Sequence, residues 1–243
     1  MRTVITASGG VELGRIPRIV GTVSTPEGLQ AAAGNPPACD LIEVRLDRMG
    51  TRSGLWVSSC RRIEQAGKPV IVTVRLDSEG GGWQGEDRDR EPVFREALEH
   101  VSVIDVEYHS RLRRPLTAAA ASAGRVVVLS YHHFRTTPPL PELQAIVRDM
   151  LQEPHVVAKI ATTVSRREHL HTLLELLLAD PPGPLAVIAM GDEARFSRVL
   201  FPCLGSALTY GFLDQPAAPG QVSWRDLSEL LARLLPPGRY LPR

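Results

Sequence analysis

Lys159 stands inside an apolar run, His155-Val156-Val157-Ala158-Lys159-Ile160-Ala161, and is one of only two lysines among 28 basic side chains. The other 26 are arginines. Burial disfavours an ammonium ion and leaves more free amine. A free amine attacks a ketone or aldehyde to form a Schiff base, a reaction closed to an always-charged guanidinium. The competing reading is a strand-end lysine whose stem lies on apolar surface while its head reaches water. The run alone leaves both open.

Other runs carry polar residues with a pattern. Glu43, Arg45 and Asp47 alternate and so share one face of an extended strand. Arg75 closes a third run and is followed by Asp77, Glu79 and Gly80-Gly81-Gly82. Asp105 and Glu107 alternate in a fourth, and a fifth ends Ser130-Tyr131-His132-His133. Only one of those two histidines can face the side that Lys159 faces. A histidine beside an imine can move protons near neutral pH. Arginines bind a carboxylate by twin hydrogen bonds and repel a proton from a nearby amine. Together these point to proton abstraction next to a carbonyl, on a small carboxylate-bearing substrate, with no metal or organic cofactor. Structural readings stand beside the functional ones. Asp47, Asp105 and Glu107 can simply pair with arginines and hold strand ends together. The three glycines suit a phosphate-binding turn or, better, a mobile loop beside the site.

These residues need a scaffold that brings them together. Eight valine- and isoleucine-rich runs recur: Ile19–Val23, Leu41–Leu46, Val70–Arg75, Val101–Val106, Arg125–Ser130, Val156–Ala161, Leu185–Met190 and Ser206–Tyr210. Amphipathic stretches lie between them, clearest at Pro92–His100, Leu140–Leu151, Arg166–Leu178 and Trp224–Leu235. Thr25 before Pro26 predicts a helix start, and Ser165 and Ser223 are similar caps. Continuous apolar strands alternating with helices indicate a buried parallel sheet. Eight such units predict an α/β fold, a (β/α)8 barrel forming a single domain over residues 1–243, with the site at the carboxyl ends of its strands. A hairpin within residues 1–16, with Arg2–Ile5 and Val11–Gly14 flanking Ser8-Gly9-Gly10, is expected to close one end of the barrel. A doubly wound sheet is the alternative, but it has no use for that hairpin.

Composition removes several function classes. A net charge of +1 with scattered arginines gives no general attraction to nucleic acid or to an anionic membrane. Cys39, Cys60 and Cys203 are far apart and lack metal-ligand spacing, so they read as thiols of a reducing compartment. The first ten residues contain no apolar segment of signal-peptide type, and no apolar stretch is long enough for a membrane helix. The expectation is a soluble cytoplasmic protein, paired as a homodimer through outer helices.

In order and spacing, these residues resemble type I 3-dehydroquinate dehydratases, the Schiff-base enzymes of the shikimate pathway. The likeness rests on Glu43-x-Arg45-x-Asp47, Arg75 with Glu79-Gly80-Gly81, and Ile104-Asp105-Val106-Glu107. It continues through Ser130-Tyr131-His132, Lys159-Ile160-Ala161 and Met190 with Phe196-Ser197-Arg198. Gly205 to Tyr210 and Ala218-Pro219-Gly220-Gln221 complete it. The resemblance implies dehydration of 3-dehydroquinate, with Lys159 as the imine-forming nucleophile, His132 as general acid and base, and Glu79 orienting His132. It implies substrate contacts from Glu43, Arg45, Arg75, Met190, Tyr210 and Gln221, with Arg198 clamping the carboxylate. Two positions depart from the family pattern. Ala217 stands where the closing loop normally has a serine, which removes one ligand hydrogen bond, ~0.5–1.5 kcal/mol. His133 replaces the usual Asp or Asn and is expected to point away from the pocket. A class I aldolase, and a barrel that only binds a hydroxylated carboxylate, are the alternative readings.

Overall fold

Eight runs rich in β-branched residues form one parallel sheet: β1 (Arg18–Val23), β2 (Leu41–Arg45), β3 (Val70–Thr73), β4 (Val103–Glu107), β5 (Val126–His133), β6 (Val156–Thr163), β7 (Leu185–Met190) and β8 (Leu208–Phe212). The computed structural model describes residues 4–7, 10–14, 16–51, 54–216 and 220–235. The strands lie side by side in chain order, with β8 next to β1. A hydrogen bond from Ala207 N–H to Leu185 O (2.8 Å) brings the approach to β8 against β7 and nearly closes a (β/α)8 barrel. The helices following the strands are α1 (Pro26–Gly34), α2 (Leu55–Gln65), α3 (Asp87–His100), α4 (Arg113–Ser122), α5 (Leu140–Met150), α6 (Arg167–Leu178), α7 (Ser197–Cys203) and α8 (Trp224–Leu234). No described helix is long and apolar enough to cross a membrane.

Burial on both faces explains the unbroken apolar runs. One set of strand residues, including Ile42, Val44, Val72, Ile104, Leu129 and Ile160, packs outward under the helices. The alternate set, including Val20, Leu41, Ile71, Val103, Val126 and Val157, fills the barrel interior near the strand starts. Leu13 joins this inner cluster and is 0% exposed. It belongs to the short hairpin in which Val4–Ile5 pairs antiparallel with Glu12–Leu13. The hairpin therefore seals the amino end, as its sequence suggested. Arg2, Ser8 and Gly9 lie outside the described residues.

Several boundaries move from the sequence expectation, each for a local reason. The second strand stops at Arg45, and Leu46–Met49 form a single helical turn, so Asp47 is not on the strand. The fourth starts at Val103, because the Val101 N–H is spent on Ala97 O (2.9 Å) and Ser102 is held by Glu64 (2.7 and 2.8 Å). The fifth and sixth run on to His133 and Thr163, since they pair with each other through His133↔Thr162. Helix α3 begins at Asp87, ahead of Pro92, because Glu86 and Asp89 form a capping box. Thr25 and Ser223 cap their helices through Gly28 N–H and Asp226 N–H (3.1 Å each). Ser165 caps nothing: α6 starts two residues later, and the Ser165 N–H points to His169 Nδ1 (3.3 Å).

Leu13 is fully buried in the inner cluster at the sealed end, with Val11 packed against the same cluster. Leu13→Ala is expected to cost about 2–5 kcal/mol in urea unfolding. Turnover by the folded fraction should not change, because the opposite end of the barrel is untouched.

Candidate active site

Parallel pairing decides which side chains meet. Ser130 lies opposite Lys159, and His132 opposite Ala161, so Lys159 and His132 project inward from neighbouring strands two residues apart in register. Lys159 has a side chain only 5% exposed, and its Nζ donates to Asp105 Oδ2 at 2.5 Å. The amine also sits 4.8 Å from the centre of the Tyr210 ring. Asp105 Oδ1 accepts from Arg75 Nη2 (2.7 Å) and from Ser130 Oγ (2.6 Å). Arg75 in turn donates to Ser130 Oγ (2.7 Å) and lies 3.2 Å from Glu107 Oε1. Burial pushes the Asp105 carboxyl up, but Arg75 and Lys159 outweigh it and hold the group well below the usual carboxylate range. Asp105 does more than join strand ends, since it touches the lysine itself. The arginines do not face the amine alone, as the sequence had suggested. A carboxylate lies between.

Glu43 accepts from Thr22 Oγ1 (3.0 Å) and Thr73 Oγ1 (2.8 Å), one hydroxyl from each flanking strand. Arg45 makes twin bonds to Asp47 (3.0 and 2.8 Å), and Asp47 also accepts from Gly82 N–H (3.0 Å). Asp47 thus has the structural role of holding a guanidinium and a loop.

Glu79 Oε2 and His132 Nδ1 share a hydrogen bond of 2.9 Å, which leaves Nε2 for the cavity. Burial holds the imidazole well below its ordinary range, and the charges of Arg75 and Lys159 add to this. Burial also pushes the Glu79 carboxyl up to about 7; Arg75 opposes this, while Glu107 and Asp105 reinforce it. The hydrogen bond thus joins a carboxyl pushed up to an imidazole pushed down. The glycines explain how Glu79 gets there. Gly80 and Gly81 N–H groups bond Asp77 O (3.0 Å) and Leu76 O (2.9 Å), and Trp83 N–H bonds Arg75 O (3.1 Å). With Gly82 on Asp47, all three glycine amides are engaged within the protein, so none is left to cradle a phosphate. A Cβ on Gly81 would stand 2.0 Å from Arg75 O, which is why the turn needs glycine there.

Opposite this group, Arg198 enters from α7 and donates to Gly220 O (2.9 Å) and Tyr210 O (3.3 Å). Burial and the neighbouring Arg195 lower it to about 10. Among the described residues, no carboxylate pairs with this guanidinium, so it is a buried cation whose partners are carbonyls. The buried Tyr210 hydroxyl likewise has no described hydrogen-bond partner.

One cleft gathers all ten candidate residues: Glu43, Arg45, Arg75, Glu79, His132, Lys159, Met190, Arg198, Tyr210 and Gln221. It encloses about 680 Å³ of empty space, part of it open to solvent. Thr22, Phe134, Ala161 and Ile188 also line it and were not singled out in the sequence. Only the strand register reveals Thr22 and Ala161, which sit opposite Glu43 and His132. Asp105 was visible as an acid in an apolar strand, but its contact with Lys159 was not. His133 turns away and accepts from Thr136 N–H (3.2 Å). Ala217, Ala218 and Pro219 lie outside the described residues.

The chain matches the family model for type I 3-dehydroquinase over residues 12–235. A 3-dehydroquinate dehydratase of Methanothrix thermoacetophila is 32% identical over 218 residues, covering 89% of this chain and 92% of that protein. The crystal structure of the 3-dehydroquinate dehydratase from Aquifex aeolicus superposes with a TM-score of 0.78 at 27% identity, over 90% of this chain and 99% of that one. The Geobacillus kaustophilus 3-dehydroquinate dehydratase shares the fold, with a TM-score of 0.83 at 23% identity over 98% of both chains.

The Glu79–His132 pair gives a signed stability prediction. Unfolded, the two side chains together carry one dissociable proton between pH values of about 4.5 and 6.5, and none above. Folded, they carry one proton up to about pH 7, so the counts agree across that window and the pair adds almost no slope. In Glu79→Gln the folded His132, held well below its ordinary range, binds fewer protons than unfolded His132 does below about pH 6.5. The variant should therefore lose stability relative to the parent as the pH falls below that point, by roughly 1.4 kcal/mol per unit. Urea titrations at several pH values between about 7 and 5 measure it. A difference that stays constant with pH would show that the pair does not share a proton.

Proposed function

Because this chain belongs to the type I 3-dehydroquinase family, we propose that it dehydrates 3-dehydroquinate to 3-dehydroshikimate through a Schiff base on Lys159, with His132 as general acid and base. The observation that carries the mechanism is a buried amine and a histidine–carboxylate pair on adjacent strands, facing a buried arginine across one cleft.

The amine begins in an ion pair, so it must pass a proton to solvent or to the His132 pair before it attacks the ring ketone. Loss of water from the resulting carbinolamine gives an iminium. Asp105, held well below the usual carboxylate range by Arg75 and Lys159, would face the positive nitrogen as ammonium and again as iminium. Once the pair has lost its shared proton, Glu79 accepts from Nδ1–H and Nε2 offers a lone pair to the cleft. That nitrogen takes the proton from the carbon next to the iminium, and the electrons move to nitrogen to form an enamine. His132 is then charged, and Nε2–H protonates the leaving oxygen as the enamine expels it as water. A carboxyl with a raised pKa beside a histidine with a lowered one suits a step that needs both a base and an acid at neutral pH. Hydrolysis of the imine frees the product.

Arg198, a buried guanidinium without a described carboxylate partner, would take the substrate carboxylate, with Gln221 beside it. Glu43 and Arg45 would meet ring hydroxyls. Arg75 orients Asp105 and Ser130. Met190 and Tyr210 would lie against the carbon face of the ring. A sugar-phosphate aldolase is the weaker reading, since the stretch after β7, where a barrel would hold the phosphate, is the acidic Met190-Gly191-Asp192-Glu193.

Two variants separate the steps. With 3-dehydroquinate and borohydride, the parent should gain one reduced adduct, mapped to Lys159 by peptide mass; Lys159→Ala should fold, gain none and lose turnover. An adduct elsewhere with turnover intact would sink the mechanism. His132→Ala should still trap the imine, while elimination slows by about 10²–10⁴-fold. Unimpaired turnover there would mean that another group is the base.

A further inference from the structure

Arg90 lies on α3, outside the barrel, and is 0% exposed. It occupies the apolar stripe of its helix, in line with Phe94, Ala97 and Leu98. Its Nη1 donates to both Glu107 oxygens (2.9 and 2.8 Å) and to Val74 O (2.5 Å), and its Nη2 pairs with Asp87. Its Nε is buried with no described partner. Glu107 Oε1, so held, accepts from Leu76 N–H (3.0 Å) and faces Arg75 Nη1 (3.2 Å). Leu76 begins the turn that carries Glu79, whose N–H bonds Leu76 O (3.0 Å). A continuous chain of contacts therefore runs from the outer helix to the hydrogen bond between Glu79 and His132.

Buried ion pairs stabilise little compared with apolar residues of similar size. An arginine in a core stripe, with one N–H left unsatisfied, is a poor device for stability alone. It does fix both oxygens of Glu107, and with them the departure of the Glu79 turn and the pose of Arg75. We propose that Arg90 is a positioning residue for the reaction: through Glu107 it sets the placement of Glu79 against His132 without touching the cleft. This rests on the dehydratase reading of the site.

The test compares Arg90→Met and Arg90→Lys with the parent, using 3-dehydroquinate turnover, borohydride trapping and the imidazole ¹⁵N spectrum, with the His132 signals identified from His132→Ala. Folded Arg90→Met should trap the imine as fully as the parent, with KM within about threefold and kcat lower by ~10- to 100-fold. Its His132 Nδ1 signal should lose the signature of the Glu79 hydrogen bond. Arg90→Lys, which keeps the charge, should fall between. A folded Arg90→Met with parental kcat and His132 signal would overturn the proposal, as would equal losses of trapping and turnover that only follow the folded fraction. If Arg90→Met does not fold, Glu107→Gln is read by the same criteria. A parent that neither traps the ketone nor turns it over would refute the dehydratase reading instead, and the His132 spectra would then decide the positioning role on their own.

Discussion

Asp105 sits inside the barrel wall with a lysine on one oxygen and an arginine on the other, and much of the site depends on keeping that charge there. An ion in such a place is costly unless its partners are close and well aimed, and removing one partner of a buried pair typically costs about 3–5 kcal/mol. Ser130 and Lys159 meet the requirement from β5 and β6, and Arg75 from just beyond the end of β3. The same contacts fix the direction of the lysine amine. Stability and the geometry of the cleft are therefore tied together, since a change that loosens Asp105 also misdirects the lysine amine.

The charges around the cleft divide into two kinds. Arg45 with Asp47, and Arg75 with Asp105 and Glu107, are satisfied within the protein and form a rigid frame. Arg198 and the Tyr210 hydroxyl are buried but lack such described partners, and they border the space a substrate would fill. Between the two sets lies the Glu79–His132 pair, where a carboxyl pushed up meets an imidazole pushed down. The two ends of the barrel follow the same division. The amino end is filled by aliphatic side chains and the hairpin leucine, and the carboxyl end carries the ionisable groups.

Much of this was legible in the sequence. The valine-rich runs and intervening amphipathic stretches specified eight parallel strands, because strands buried on both faces must be apolar throughout. The chemistry-bearing residues stood out as polar side chains in those runs, and their order carried the family resemblance. Boundaries were less legible where side-chain hydrogen bonds decide them. Glu86 and Asp89 start α3 ahead of Pro92, and Glu64 holds Ser102 out of the fourth strand. The close approach of Gly81 to Arg75 O was not legible, because it involves a backbone atom six residues earlier in the chain.

By itself, the sequence determined the fold class and the sealed hairpin end, and it singled out Lys159 and His132 as candidates, since periodicity and residue chemistry are local properties. Tertiary structure alone decided which charges neutralise one another. Register puts Asp105 on Lys159, and the arrival of Arg90 from an outer helix turns Glu107 from a strand-end acid into the anchor of a loop. Those are distances between groups far apart in the chain, and at such distances electrostatics depends on geometry that no local pattern records.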